Sequence, residues 1–128
     1  MKANYKIAIA LIAGAAIGGA AIQGLHAQAK PKAYSVAETE LLDAAAQAAY
    51  TPLIRAAQNA AGARNFRTAG GQIVAQEGAA APKRVAIIEL DSLEQAQAFY
   101  NSKAWTDLAP QRNKAIKTIR RYIAEARN

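Results

Sequence analysis

The sequence predicts an α+β domain of the ferredoxin-like class, with elements in the order β-α-β-β-α-β, a four-stranded antiparallel sheet and two helices on one of its faces. Segments with alternating apolar residues are separated by segments whose apolar residues recur at helical spacing. Capping residues and glycines stand at the boundaries between them. A length of 128 residues with 52% apolar content fits one folded domain.

The first half opens with an alternating segment, residues 33–41, that predicts a strand. Asp43 is a predicted N-cap for a helix over about 44–61, and Gly62 a predicted C-terminal cap. Pro52 predicts a kink in this helix or a late start. One apolar stripe runs along the helix at the spacing of a buried face: Ala46, Tyr50, Leu53, Ile54, Ala57 and Ala61.

The remaining strands are predicted by turn signals and β-branched residues. Residues 64–69 lead into Gly70-Gly71, a hairpin turn signal, and residues 72–76 return from it. Residues 84–91 (RVAIIELD) form the strongest strand pattern, because three of their side chains are β-branched. Residues 118–126 (TIRRYIAEA) give the last strand.

The second helix begins at Ser92-Leu93-Glu94-Gln95, which has the pattern of a capping box. Asn101-Ser102 interrupts the helical spacing, which resumes over about 103–116. Pro110 predicts a second break inside that stretch.

This arrangement leaves one face of the sheet without helices. Val85 and Ile87 alternate with Ala86 and Ile88, so both faces of the third strand are apolar. Two helices cover only one face, and a domain of this size has few other ways to bury the second. We therefore expect a homodimer that closes through the open sheet face.

The N-terminus has the pattern of an export signal. Lys2 and Lys6 precede an uncharged run over residues 7–25, and Ala27-Gln28-Ala29 is a small-residue cleavage site. This pattern predicts a signal peptide over residues 1–29, cut after Ala29, and a periplasmic or secreted domain. The alternative is an uncleaved anchor in the inner membrane that faces the folded part outward, because the run is long enough to span the bilayer. The membrane would then be a partner through this segment alone.

Composition narrows the chemistry of the remaining domain, residues 30–128. The chain has no Cys, and cleavage would remove His26 and Met1, the single residues of their types. Zinc sites with N or S ligands and haem with a His ligand are thereby excluded, so we expect no metal and no cofactor. The basic run KAIKTIRR over residues 114–121 lacks interleaved aromatic residues, and we expect a solvated face and no nucleic-acid partner.

Glu89 is the candidate catalytic residue. It lies within an apolar strand, where desolvation would raise the pKa of its carboxyl group and suit it to act as a general base. The alternative is a salt bridge at the sheet edge with Arg67, Arg84 or Arg121. Glu38 has the same two interpretations.

Five further residues are candidates for ligand binding. Arg84 and Arg112 could clamp an anionic group, or could anchor loops and helix ends. Tyr34, Tyr100 and Trp105 could line a small apolar pocket with polar edges, although aromatic residues at helical spacing are typical of a core.

Several short segments carry a recognisable combination of residues: Lys32-Ala33-Tyr34, Gly70-Gly71, Glu77-Gly78, Pro82-Lys83-Arg84-Val85, Glu89-Leu90-Asp91-Ser92-Leu93-Glu94, Phe99-Tyr100-Asn101-Ser102 and Gln111-Arg112. Together they resemble one bacterial family, the domain of unknown function 1330 family of the dimeric α/β-barrel superfamily. The resemblance spans nearly all of residues 32–126. The resemblance implies a ferredoxin-like fold that pairs two sheets into a barrel, and no settled activity. The chain departs from the family at Ala69, where arginine is usual, at Trp105, where tyrosine is commoner, and at Asp43-Ala44-Ala45, where Asp-Pro-Glu is usual.

Two functions remain open at this point. The first is an exported homodimer that binds a small apolar or anionic molecule, or serves as an interaction module. The second is a cofactor-independent isomerase or monooxygenase-like enzyme with Glu89 as base and Arg84 or Arg112 stabilising an oxyanion. The sequence leaves open whether the protein is an enzyme.

Overall fold

The computed structural model describes residues 30–127, and the predicted signal over residues 1–29 lies outside them. The described part contains β1 (Ala33–Leu41), α1 (Ala44–Ala60), β2 (Arg64–Asn65), β3 (Arg84–Leu90), α2 (Leu93–Asn101), α3 (Lys103–Thr106), α4 (Ala109–Ala115) and β4 (Ile116–Glu125). The strands form one antiparallel sheet in the order β2-β3-β1-β4. The predicted ferredoxin-like fold is confirmed. Within residues 30–127, no helix is both long and apolar enough to cross a bilayer.

Alternation along β1 separates the two faces of the sheet. Ala33, Ser35, Ala37 and Thr39 are buried, while the residues between them are half-buried on the opposite side. The register pairs Val36 with Ile87, so the third strand divides its apolar residues between the faces as predicted. The core lies on the helix side and includes Ile88, Leu90, Ala96 and Phe99.

Helix α1 begins where its cap predicts. Asp43 Oδ1 accepts a hydrogen bond from the Ala46 N–H at 2.8 Å, and Gly62, with φ +74°, follows the C-cap. The helix runs through Pro52, so the predicted late start is wrong. Leu53 is 44% exposed and does not belong to the buried stripe, because the face toward the sheet is centred on Tyr50.

The second helical region is broken where Asn101-Ser102 and Pro110 predict. Ser92 Oγ accepts from the Gln95 N–H at 3.1 Å. Gln95 Oε1 does not complete the capping box at Ser92; it accepts from the Asp91 N–H instead. Its Nε2 donates to the Ala61 carbonyl at 2.7 Å, so Gln95 ties the start of α2 to the end of α1. The last strand begins two residues earlier than predicted, at Ile116.

The hairpin predicted at Gly70-Gly71 is wrong in its returning strand. The turn itself forms, since the Gly71 N–H donates to the Thr68 carbonyl at 3.0 Å. However, β2 covers only Arg64–Asn65, and residues 72–76 form no strand. Asn65 Oδ1 accepts from the Arg67 N–H at 2.7 Å, and Arg67 has φ +57°. This left-handed bend ends the strand pairing soon after β2.

Candidate functional site

A cleft of about 190 Å³ lies between α1 and the helix-facing side of the sheet. Its floor includes Ala37 and Thr39 of β1 and Ala86 of β3. These side chains are small, and Ala37 stands opposite Ala86 in the register. Because neither residue extends far above the sheet, space remains under the helix. The volume is about six times the ~30 Å³ that one water occupies in the liquid, so the cleft suits a small molecule.

The roof of the cleft is one face of α1. Six α1 residues line it, and they recur at spacings of three and four, as one side of a helix requires: Gln47, Tyr50, Thr51, Ile54, Arg55 and Gln58. Five of the six carry polar groups, which is unusual for a helix face that packs on a sheet. The helix therefore presents hydrogen-bonding groups to an enclosed space.

Four arginines line the cleft: Arg55, Arg67, Arg84 and Arg121. In the register, Arg84 stands opposite Thr39 on one side of β1, and Arg121 stands opposite Ala37 on the other side. Among the described residues that line the cleft, none is acidic. A partly enclosed space with four cations and no lining carboxylate has a strongly positive potential that favours an anion.

Two buried polar atoms of the cleft have no hydrogen-bond partner within residues 30–127. They are Nε of Arg84 and Oε1 of Gln47. A buried polar group without a partner costs about 1–3 kcal/mol. Such groups are rare in folded proteins, and a ligand is one way to satisfy them.

The end of the cleft near β4 is built on an aromatic cluster. The Arg121 guanidinium carbon lies 4.6 Å from the ring centroid of Trp105 and 5.6 Å from that of Tyr100. The Trp105 and Tyr100 rings meet edge to face with centroids 4.8 Å apart. These contacts hold Arg121 in one position, because a guanidinium is attracted to the face of an aromatic ring.

Tyr50 is a buried residue, and its side chain forms part of the wall of this cleft. Burial raises the pKa of Tyr50 above its usual value of 10, and the nearby guanidinium of Arg112 opposes that shift. The phenol is thus protonated at neutral pH and available as a hydrogen-bond donor.

The structure divides the five predicted ligand residues among three locations. Arg84 and Trp105 line the cleft. Tyr100 and Arg112 lie behind it: the Tyr100 hydroxyl is hydrogen-bonded to Ser35 Oγ, and Arg112 packs on Trp105. Tyr34 is on the opposite face of the sheet, with its ring centroid 6.4 Å from that of Phe66. The pocket predicted to combine Tyr34 with the other aromatic residues therefore does not form, because successive residues of β1 point to opposite faces.

Glu89 also lies on the open face, opposite Tyr34 in the register. Its Oε1 is 3.8 Å from the Lys32 ammonium. The predicted arginine partners do not pair with it, since Arg67, Arg84 and Arg121 line the cleft on the other side. Glu89 is not among the residues that line this cleft, and its role as a base stays a prediction.

The open face combines apolar residues with paired charges. Arg120 donates to both carboxylate oxygens of Glu38, at 2.6 and 2.8 Å. This pairing lowers the pKa of Glu38 below its usual 4.5. Lys83 lies 3.5 Å from Glu40. Large apolar side chains are exposed in and beside this face, among them Phe66, Val74, Ile119 and Tyr122.

Sequence reasoning did not single out Arg55, Arg121 and Tyr50 as ligand residues, and considered Arg67 only as a partner of Glu89. The period-two pattern of β4 contained the signal for Arg121, which alternates with the exposed Arg120 and Tyr122. Arg67 had no such signal, because its bend depends on the Asn65 side chain. Ala69, where the resemblance leads one to expect arginine, also lines the cleft.

Fold and cleft together define a small ferredoxin-like α+β domain with a cationic cleft on its helix side. The chain belongs to the domain of unknown function 1330 family (DUF1330), which matches residues 32–126. Its fold is similar to that of a protein of unknown function from Rhodopseudomonas palustris, solved as a structural genomics target. The two share 13% sequence identity with a TM-score of 0.56, over 83% of this chain and 89% of that one. A comparison with curated proteins found no match. Within residues 30–127, no group of three or more His, Cys, Asp or Glu side chains could hold a metal ion.

Proposed function

We propose that this domain binds a small anionic molecule in the cleft between α1 and the sheet. The observation that carries the proposal is the set of four arginines around a cleft whose described lining contains no carboxylate. The four like charges repel one another, and Arg84 and Arg121, which are half-buried while Arg55 and Arg67 are exposed, have also lost part of their hydration. An anion that accepts their hydrogen bonds offsets both costs.

The buried Nε of Arg84 supports the same proposal, because it has no hydrogen-bond partner among residues 30–127. A carboxylate matches the geometry of a guanidinium, since its two oxygens accept two parallel N–H bonds. The cleft is too small for a large ligand, so a carboxylate on a compact body fits both its charge and its volume of about 190 Å³.

Titration calorimetry on the purified chain tests this proposal with acetate, benzoate, succinate and inorganic phosphate as probes. At least one of them should bind, and Arg84→Gln should weaken that binding about tenfold or more, because a charge-assisted hydrogen bond is lost. Arg127→Gln is the matched control: it removes the same charge from an exposed terminal position and should leave the affinity unchanged. Absence of binding by all four probes, or an equal loss in both variants, would refute the proposal.

We also propose that two copies of the chain associate through the open sheet face. Val36 and Ile87 are paired neighbours on this face, and the carboxylates of Glu38 and Glu40 are already neutralised by Arg120 and Lys83. A second copy would therefore bury apolar area without leaving these charges unpaired. The cleft is on the other side of the sheet, so each protomer would keep its own ligand site.

Export is the third part of the proposal, and it rests on the sequence of residues 1–29 alone. Intact-mass measurement of the protein from its own host tests it. A mature chain that begins at Lys30 supports cleavage after Ala29 and a periplasmic or secreted domain. A full-length chain in the membrane fraction supports the inner-membrane anchor instead.

A further inference from the structure

We infer that the ligand of the cleft is a dicarboxylate whose two charged groups bind at opposite ends of the cleft. This inference rests on the proposed anion site and adds the number and arrangement of the charges. It follows from how the four arginines are distributed between the two sides of β1.

One cationic end lies on the β4 side. Arg121 is held there against the rings of Trp105 and Tyr100. Tyr50 belongs to the same end, because it lines the cleft and neighbours Arg112, which packs on the Trp105 ring. This end thus combines a fixed guanidinium with a protonated phenol, and together they suit one carboxylate.

The other cationic end lies on the side of β2 and β3. Arg67 lies two residues after the end of β2, and Arg84 begins β3. Helix α1 reaches this end as well, because Asn65 Nδ2 donates to Gln58 Oε1 at 3.2 Å. Arg55 and Arg67 also line a neighbouring hollow together with Arg64, so positive charge extends beyond the cleft on this side.

Small apolar side chains lie on the floor between the two ends, below the mostly polar face of α1. Ala37 and Ala86 form the floor there, and Ile54 contributes to the roof. Strands β3 and β4 flank β1, so their backbones are separated by two strand spacings, about 9.5 Å. A ligand with a single carboxylate neutralises one guanidinium at one end and leaves the positive charge at the other end without a counter-charge. A molecule with carboxylates at both ends of a short hydrocarbon segment matches both cationic ends and the apolar floor between them.

The backbone of Arg67 supports a ligand role for this residue. Its φ of +57° lies in the left-handed region, where a residue with a Cβ is strained. Glycine would adopt this conformation without strain. Arg67→Gly should therefore leave the midpoint of thermal unfolding unchanged or raise it, while it removes one ligand contact.

The test compares dicarboxylates from succinate to suberate with monocarboxylates of the same chain length, and with inorganic phosphate. Titration calorimetry and the fluorescence of Trp105, the single tryptophan of the chain, report binding independently. One dicarboxylate length should bind about tenfold or more tightly than its matched monocarboxylate. In Arg121→Gln, which removes the lining arginine of one end, the dicarboxylate should fall to the affinity of the monocarboxylate. In Arg67→Gly, which leaves Arg84 at the other end, the dicarboxylate should lose part of its advantage.

The outcomes separate this inference from the proposed function. If mono- and dicarboxylates bind equally at every length, and both depend on Arg84, the anion site stands and the two-ended ligand is refuted. If phosphate binds more tightly than every dicarboxylate, the charges converge on one point, and the inference is again refuted. If no anion binds, both fail. Because Arg121→Gln could disturb the aromatic cluster, Arg67→Gly alone decides the case if that variant does not fold.

Discussion

Arg112 holds Trp105 by two contacts. Its guanidinium carbon lies 3.8 Å from the centroid of the indole ring, and its Nη1 donates to the Trp105 carbonyl oxygen at 3.2 Å. One side chain thereby fixes both the ring and the backbone of the short helix α3. Since Trp105 lines the cleft while Arg112 does not, Arg112 acts on the cleft by positioning its wall.

Arg112→Ala should destabilise the domain by about 1–2 kcal/mol, because one cation–π contact and one hydrogen bond are lost. Urea unfolding measures this change. Anion affinity should fall as well, since Trp105 and Arg121 lose their support. Arg112→Lys keeps the charge but not the planar stack, and should recover the affinity only in part. Full recovery with lysine would mean that Arg112 acts by charge alone.

Ala86→Leu should block the cleft. The added side chain would occupy the space above the floor, where Ala86 faces Ala37 across the strand pair. Affinity for any anion should drop below detection in calorimetry. The matched control is Val85→Leu, one residue away on the open face, which should leave binding intact because the two side chains point to opposite faces. Retained binding in Ala86→Leu would show that the anion does not bind in the cleft.

Ile87→Glu should convert a dimer to a monomer. It introduces a charge beside Val36 on the open face, and burying a charge in the apolar part of the proposed interface is costly. Sedimentation velocity measures the change. Leu53→Glu, an exposed position on α1, is the control and should sediment as the unmodified chain does. A monomeric unmodified chain at micromolar concentration would contradict the proposed dimer.

The Glu38–Arg120 pair predicts an acid-sensitive contribution to stability. The hydrogen bonds from Arg120 lower the pKa of Glu38 below 4.5. As the pH falls, the carboxylate therefore takes up its proton at a lower pH in the folded state than in the unfolded state. Its stabilisation is present above pH 4.5 and is lost as the pH falls through the lowered pKa. Urea unfolding between pH 3 and pH 7 should show a smaller acid loss in Glu38→Gln than in the unmodified chain; identical profiles would contradict the prediction.

Glu89→Gln separates the two functions that the sequence leaves open. Glu89 is on the open face beside Lys32, so the substitution should not change anion binding in the cleft. If a substrate is found and Glu89→Gln abolishes its turnover, the result supports Glu89 as the general base of the enzyme alternative. Unchanged turnover in this variant would instead remove Glu89 from the chemistry.

The elements of this domain could be predicted where local signals agree. Asp43 and Ser92 cap their helices as short-range patterns predict, because a capping hydrogen bond involves residues only three positions apart. The returning strand at residues 72–76 could not be predicted correctly. A hairpin turn signal is local, but a strand also needs a partner, and the bend at Arg67 ends the pairing before it.

The sequence by itself determined the fold class, the two faces of β1 and β3, and the exclusion of thiol chemistry, because these follow from residue types and from periods of two and 3.6. The grouping of four arginines in one cleft was decided by tertiary structure alone. Arg55, Arg67, Arg84 and Arg121 come from a helix, a bend and two strands. Only the antiparallel register and the packing of α1 across the sheet bring these distant positions to one enclosed space.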